Sequence, residues 1–206
     1  MEPATSDERQ PSSPASMFNV CVVSDGATET GPSVLISLSK KHLLGGEIKP
    51  FLSFVVNPCE GFQRTCKESR IKLKGIEHVL CTSLCPDRTL GLPGLALGLG
   101  DVGGSTLTVH GPTGTCEYVE ACRPFFPRTW PEVKTVANIP SDTDDGVPFV
   151  IFQDEHVKWT AMPLGGILTA SARQDLHPRP KRRRVDKEGG GHPPATVMYV
   201  CQTKRP

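Results

Sequence analysis

Residues 51–64 read FLSFVVNPCEGFQR, and residues 77–94 read EHVLCTSLCPDRTLGLPG. Each stretch begins with a β-prone apolar run and passes through a turn into a segment with helical periodicity. The first such segment, residues 62–70, has apolar residues four apart and charge elsewhere, which is typical of a short amphipathic helix. The second, residues 91–99, is apolar nearly all round and predicts a buried helix despite its glycines. Strands that alternate with helices in this way indicate an α/β layered domain.

Strands are predicted on both sides of this region, with an antiparallel meander at the amino end and a hairpin around Asp154-Glu155. A further helix is predicted over residues 114–122, after a strand that closes at Gly111-Pro112. The predicted strands cover residues 18–23, 33–38, 51–56, 77–81, 106–110, 148–152, 156–162 and 196–201.

The composition of the chain divides it into four parts. Residues 1–16 hold three prolines and no periodic pattern, so a disordered leader is predicted. The domain is expected to cover residues 17–164, with no clear pattern between positions 123 and 147. Residues 165–194 predict a linker rich in glycine, proline and arginine. Residues 195–206 are expected to supply the final strand of the same domain.

The charge balance limits the classes of function. The 206 residues carry 23 Lys and Arg against 22 Asp and Glu, for a net charge of +1, so the whole molecule is not a general polyanion binder. The 20 glycines and 20 prolines argue against a helical bundle. No run of about 20 apolar residues occurs, so no membrane-spanning helix and no membrane partner are predicted.

The cysteines are predicted to be reduced thiols of the core. The first residues show neither a secretory signal nor an Arg-rich import helix, which argues against a disulfide framework. A zinc site built from Cys59, Cys66, Cys81 and Cys85 is disfavoured because their spacing matches none of the tight paired patterns. The eight cysteines stand at positions 21, 59, 66, 81, 85, 116, 122 and 201.

A basic cluster is the sharpest charge feature. It consists of Lys181, Arg182, Arg183 and Arg184, inside the predicted linker. Four consecutive cations in such a context are typical of a nuclear import signal or of a patch that contacts phosphates. We favour nuclear import over a merely solvated basic stretch. Mitochondrial delivery stays open, although no import helix is visible.

Several motifs of residues 18–122 occur in an order that resembles the tRNase Z branch of the metallo-β-lactamase superfamily, whose enzymes trim the 3′ trailer of precursor tRNA. The likeness is looser over residues 148–201. The resemblance implies a metallo-β-lactamase-like αββα sandwich. The chain would hold one degenerate copy of this sandwich, and that copy need not contain every strand. The motifs are Glu-Gly-x-Gln-Arg, Gly-Leu-Pro-Gly and His-Gly-Pro, which assign structural roles to Glu60, Gly61, Gln63, Gly91, Pro93, Gly94, His110, Gly111 and Pro112.

The metal motif of that family is degenerate in this sequence. An active member reads Thr-His-x-His-x-Asp-His at this loop, and those ligands bind two zinc ions. The corresponding positions are Ser83, Cys85, Asp87 and Arg88, so only the aspartate is kept. Serine is a poor ligand, and arginine cannot be deprotonated to bind a metal. We therefore expect no metal, no cofactor and no catalytic residue in this chain.

Structural roles, not catalytic ones, are favoured for the two remaining polar candidates, Asp87 and His110. Asp87 is expected to cap or turn the loop before the helix that follows it. His110 is expected to be a structural histidine, because no partner base or nucleophile is visible near it in the sequence. Glu60 and Asp87 could be offered as paired hydrolase carboxylates, but their spacing does not support that pair.

The resemblance implies a role in tRNA 3′-end processing. The long form of tRNase Z resembles two fused copies of the fold, of which the N-terminal copy has lost the metal motif, and this chain looks like that copy. Its implied partners are precursor tRNA and a zinc-dependent catalytic half, and alone it is expected to be inactive. The absence of the tRNA-clamping arm and of that half predicts a fragment or an unusually short product. The alternative is a stand-alone nuclear module that binds RNA or protein.

Overall fold

The computed structural model describes residues 16–26, 30–40, 50–125, 131–135, 147–164 and 196–203. The nine strands of these residues are β1 (Ser16–Asp25), β2 (Pro32–Lys40), β3 (Pro50–Val56), β4 (Ile76–Leu80), β5 (Thr106–His110), β6 (Glu132–Thr135), β7 (Phe149–Gln153), β8 (Val157–Leu164) and β9 (Thr196–Thr203). The helices are α1 (Phe62–Glu68), α2 (Pro86–Thr89), α3 (Leu92–Asp101) and α4 (Thr115–Cys122), with a 3-10 turn at Arg123–Phe125.

The strands form two sheets. The first has the order β1-β2-β3-β4-β5-β6, in which β1, β2 and β3 are antiparallel and the pairs from β3 to β6 are parallel. The second is antiparallel, with the order β7-β8-β9. The predicted amino-terminal meander and the hairpin around Asp154-Glu155 are therefore confirmed.

Two apolar cores lie on opposite faces of the first sheet. The core under the helices joins strand residues such as Val55 and Val79 to Phe62 of α1, Leu95 of α3 and Val119 of α4. The core between the two sheets joins Leu38, Leu52, Phe54, Leu80, Val157 and Trp159. Burial on both faces explains why β3, β4 and β5 are rich in valine and leucine. The helices, the first sheet and the second sheet thus form successive layers.

The structure differs from the predictions in short elements. The single-turn helix α2 and the four-residue strand β6 were not predicted, because elements of that length carry no usable periodicity. Helix α1 ends two residues earlier than predicted, since Arg70 has a left-handed φ of 56° and the Ile71 N–H bonds back to the Cys66 carbonyl at 2.8 Å. None of the helices among the described residues is long and apolar enough to cross a membrane.

Candidate active-site loop

Three loops meet at the carboxyl ends of the parallel strands β3, β4 and β5. The Cys81 N–H donates to the His110 carbonyl at 2.8 Å, which joins the loop after β4 to the end of β5. The Asn57 side chain joins the loop after β3 to the loop after β4, because its Oδ1 accepts from the Thr82 N–H at 2.8 Å and from the Thr82 hydroxyl at 3.0 Å. These hydrogen bonds hold the loop after β4, residues 81–85, in a defined position.

Arg88 extends from α2 back over this loop. Its Nη1 donates to the Thr82 hydroxyl oxygen at 2.8 Å, and its Nε lies 3.9 Å from the Asp87 carboxylate. The Asp87 side chain is 52% exposed, so water screens that ion pair and its stabilising effect is small. The guanidinium thus keeps a positive charge beside the loop.

The other degenerate positions have distinct surroundings. Ser83 is buried, and Cys85 is half-buried at the N-cap position of α2. The Cys85 carbonyl accepts from the Arg88 N–H at 2.9 Å and from the Thr89 hydroxyl at 3.1 Å. Asp87 was expected to cap or turn the loop, but it stands in the first turn of α2, where a carboxylate is stabilised by the helix dipole.

These residues do not fit a zinc pair. Serine and arginine are not zinc ligands in proteins, and the guanidinium of Arg88 would repel a divalent cation. Within the part of the chain that the structure describes, no group of three or more His, Cys, Asp and Glu side chains is placed to hold a metal ion.

Gly91, Gly94 and Gln63 of the family motifs lie where α3 contacts a loop and helix α1. A β-carbon on Gly91 would collide with the Cys59 carbonyl, and the Gly91 N–H donates to the Pro58 carbonyl at 3.0 Å. Gln63 of α1 lies against α3, with its Oε1 3.4 Å from the place of a β-carbon on Gly94.

The remaining motif residues form turns. Gly61 begins α1 with a φ of 75°, and it is exposed together with Glu60. The Pro112 carbonyl accepts from the Thr115 hydroxyl at 2.6 Å, which fixes the turn before α4. Pro93 lies half-buried in the first turn of α3.

His110 lies between the two sheets, beside a second histidine that the sequence analysis did not single out. Its Nε2 is 3.3 Å from Nδ1 of His78, whose ring stacks on Phe54 with centroids 4.9 Å apart. Burial lowers the pKa of each histidine to about 4, so both are neutral at pH 7. His78 and Leu80 are two residues apart along β4, so their side chains lie on one face of the sheet. This spacing was the sequence signal that could have placed His78 in the core.

A groove of about 500 Å³ opens beside Thr82 and Arg88, with mainly apolar walls. Its other lining residues are Phe18, Ile36, Val56, Trp159, Leu164, Thr196, Val197, Met198, Tyr199 and Cys201. The basic cluster Lys181, Arg182, Arg183 and Arg184 lies outside the described residues.

Comparison with known proteins relates the sequence to tRNase Z, although no protein-family model matches it. A protein of Arabidopsis thaliana named tRNase Z TRZ3, mitochondrial, is 33% identical over 84% of this chain and 16% of its own length. A second Arabidopsis protein, tRNAse Z TRZ4, mitochondrial, is 32% identical over 84% of this chain and 17% of its own length. A ribonuclease Z of Listeria monocytogenes is 44% identical over 62 residues, 30% of this chain and 20% of that protein. The chain therefore spans only a small part of these relatives.

Two solved structures share the fold. The long form RNase Z from yeast has a TM-score of 0.58 at 15% identity, covering 91% of this chain and 27% of that one. The short form of human tRNase Z has a TM-score of 0.53 at 18% identity, covering 72% of this chain and 61% of that one. By its sequence relatives and its fold, this chain belongs to the tRNase Z family and has the metallo-β-lactamase fold.

Proposed function

We propose that this chain is a non-catalytic part of a tRNase Z that supports cleavage of the precursor-tRNA trailer by a separate, zinc-dependent catalytic half. One observation carries the proposal. At the loop after β4, where an active member would place metal ligands, Arg88 lies with its guanidinium hydrogen-bonded to the Thr82 hydroxyl at 2.8 Å. A fixed positive charge in that place opposes metal binding.

The position of the chain within such an enzyme is part of the proposal. A degenerate metal motif on an otherwise matching fold is what the N-terminal copy of a long-form enzyme would carry. Support comes from the plant relatives, of which this chain spans 16% and 17%. The chain would then bind no zinc, and it would help to orient precursor tRNA beside the half that does. Any contact with tRNA would be made to phosphates, which position the substrate without reading its bases.

The test is metal content together with cleavage by the purified 206-residue chain. The protein is loaded with Zn²⁺ and dialysed, bound zinc is measured by plasma mass spectrometry, and a 3′-extended precursor tRNA is supplied as substrate. Human short-form tRNase Z serves as the positive control. We expect less than about 0.1 zinc per chain and no trailer cleavage. Two tightly bound zinc ions with cleavage at the trailer would show that Cys85 and Asp87 build an active centre, and would overturn the proposal.

A second candidate function is a stand-alone nuclear module that binds RNA or protein, and the basic cluster favours it. Two relatives are named as mitochondrial, so nuclear delivery of this chain remains a proposal. Imaging a fluorescent fusion of the chain tests it, with alanine at the four cluster positions as the control variant. Nuclear signal that the variant loses supports import by the cluster, whereas mitochondrial signal that both share contradicts it.

A further inference from the structure

Strand β9 forms one edge of the second sheet. It pairs with β8 on one side, and no described strand lies on its other side. Near its start, the Val197 N–H points away from β8 and donates to the Thr82 carbonyl at 2.8 Å. Because backbone direction alternates along a strand, the N–H and C=O groups of Tyr199 and Cys201 point to that same outer side. An edge of this kind is a template for a further strand.

An apolar row on β1 continues the face that the second sheet covers. Phe18, Val20 and Val22 lie opposite Leu38, Ile36 and Val34 in the β1–β2 register, and directly opposed residues share a face. Leu38 and Ile36 belong to the core between the sheets.

That row is nevertheless exposed in the described structure. The exposed fractions are 37% for Phe18, 55% for Val20 and 63% for Val22. The alternate residues of the same strand, Cys21 and Val23, pack into the core under the helices. The first sheet thus extends one strand farther than the second sheet covers it, and a contiguous apolar surface of this kind marks an interaction site.

The groove of about 500 Å³ lies between Phe18, at one end of this row, and β9, and it continues the core between the sheets. Ile36, Val56, Tyr199 and Cys201 line the groove and also pack against that core. Among the described residues that line the groove, Arg88 alone is charged, and it lies at the end where Thr82 meets the start of β9. Apolar walls with one cation at the end match an extended segment that has alternate apolar residues and one acidic residue.

We propose that this groove binds one β-strand from a partner polypeptide, which adds to the outer edge of β9 and covers the apolar row of β1. Main-chain hydrogen bonds to Tyr199 and Cys201 would hold the strand, and its inward side chains would pack on Phe18, Val20 and Val22. An acidic residue at the end beside Thr82 would pair with Arg88. The inference stands apart from the proposed role in tRNA processing and can fail or hold independently of it.

A tethered probe strand tests the site. In the full chain, the residues after Thr203 are replaced by an Asn-Gly turn followed by Val-Thr-Val-Thr-Val-Glu, which can fold back along β9. In this register the three valines face the β1 row, and the glutamate, which is out of phase with them, faces solvent. The matched control has Thr-Val-Thr-Val-Thr-Glu after the same turn, so its valines face solvent. The tether gives the strand a high effective concentration.

Backbone amide exchange by NMR and the thermal midpoint are the measurements. In the natural chain, the Tyr199 and Cys201 amides should exchange at least about 10-fold faster than those of Met198 and Val200, which face β8. The probe strand with inward valines should slow the exchange of the Tyr199 and Cys201 amides at least about 10-fold and should raise the thermal midpoint. The control strand should do neither. Val20→Lys, at an exposed position, should abolish the gain without unfolding the chain, and Val22→Lys is the second variant if it does not fold.

Three results would overturn the proposal. Equal gains from both probe strands would show that the register against β1 is irrelevant. Tyr199 and Cys201 amides that are already slow in the natural chain would show that its own residues cover the edge. Protection that rises with protein concentration would assign the edge to a second copy of the chain instead of a different partner.

Discussion

Asn57 is the residue on which the geometry of the candidate loop depends most directly. It is buried, it has a φ of 52°, and its side-chain oxygen accepts two hydrogen bonds from Thr82. Asparagine tolerates the left-handed region better than most residues because its short polar side chain bonds locally. One residue therefore satisfies both the turn after β3 and the start of the loop after β4.

Two substitutions separate those contributions. Asn57→Ala should lower the free energy of unfolding by about 2–4 kcal/mol, because it leaves the Thr82 N–H unsatisfied and places in the left-handed region a residue without the polar side chain that makes this region tolerable for asparagine. Asn57→Gly removes the same hydrogen-bond acceptor, but glycine adopts the left-handed region without strain. It should therefore lower the free energy of unfolding by about 1 kcal/mol less than Asn57→Ala does. Urea unfolding measures both. Equal losses would mean that the left-handed backbone contributes nothing.

The thiols should differ widely in reactivity. Burial raises the pKa of Cys81 to about 12, whereas Cys85 is half-buried at the start of α2. At pH 8 the Cys81 thiolate is about 10⁴-fold rarer than the thiol, and it is also shielded from reagents. Iodoacetamide followed by peptide mass mapping should label Cys85 in the folded chain and Cys81 only in urea. Early labelling of Cys81 would contradict the buried position of its strand end.

At the scale of elements, α3 is held by close contact with a loop. Gly91 precedes the helix, and a β-carbon there would meet the Cys59 carbonyl. Gly94 lies inside the helix, where a β-carbon would make only an ordinary contact with Gln63 at 3.4 Å. The two glycines of one motif therefore have different physical roles.

Alanine at each glycine tests that difference. Gly91→Ala should lower the free energy of unfolding by at least about 2 kcal/mol, because backbone must move to admit the methyl group. Gly94→Ala is the matched control and should be neutral or stabilising by up to about 1 kcal/mol, since alanine favours a helix. Urea unfolding gives both values. A neutral Gly91→Ala would show that α3 can shift away from the loop freely.

At the scale of the whole molecule, the two sheets meet over a pair of neutral histidines. His78 and His110 lie 3.3 Å apart among Phe54 and Phe152, and burial lowers each pKa to about 4. The unfolded chain binds protons at these groups near pH 6.5, so between pH 6.5 and 4 it binds more protons than the folded chain. Stability from the pair is therefore complete above pH 6.5 and is lost as the pH falls.

Urea unfolding between pH 7 and pH 5 should show this loss. Each histidine can contribute a slope of up to about 1.4 kcal/mol per pH unit. His78→Phe keeps an aromatic ring beside Phe54 but removes one titrating group, so it should reduce the slope by up to half. A variant with the full natural slope would show that the histidines do not govern the acid sensitivity of the sheet interface.

The periodicity of the sequence was sufficient for the long elements. Residues 91–99 predicted α3 because they are apolar nearly all round, and the runs before Asn57 and Thr82 predicted β3 and β4 because they are β-prone and of strand length. The degenerate loop was recognised only through the family resemblance, which places Ser83 and Arg88 at ligand positions, and the lack of a metal there stays a prediction. Strand β6 and helix α2 were not readable, because four residues carry too few periods.

The local pattern of residues thus predicted the α/β class and the order of most elements, since each depends on neighbours in the chain. The pairing of His78 with His110 and the exposed apolar row of β1 required the register of strands and the stacking of two sheets. Those features join residues that are distant in sequence, and the energies that select them come from burial and contact in three dimensions. For that reason no one-dimensional pattern could supply them.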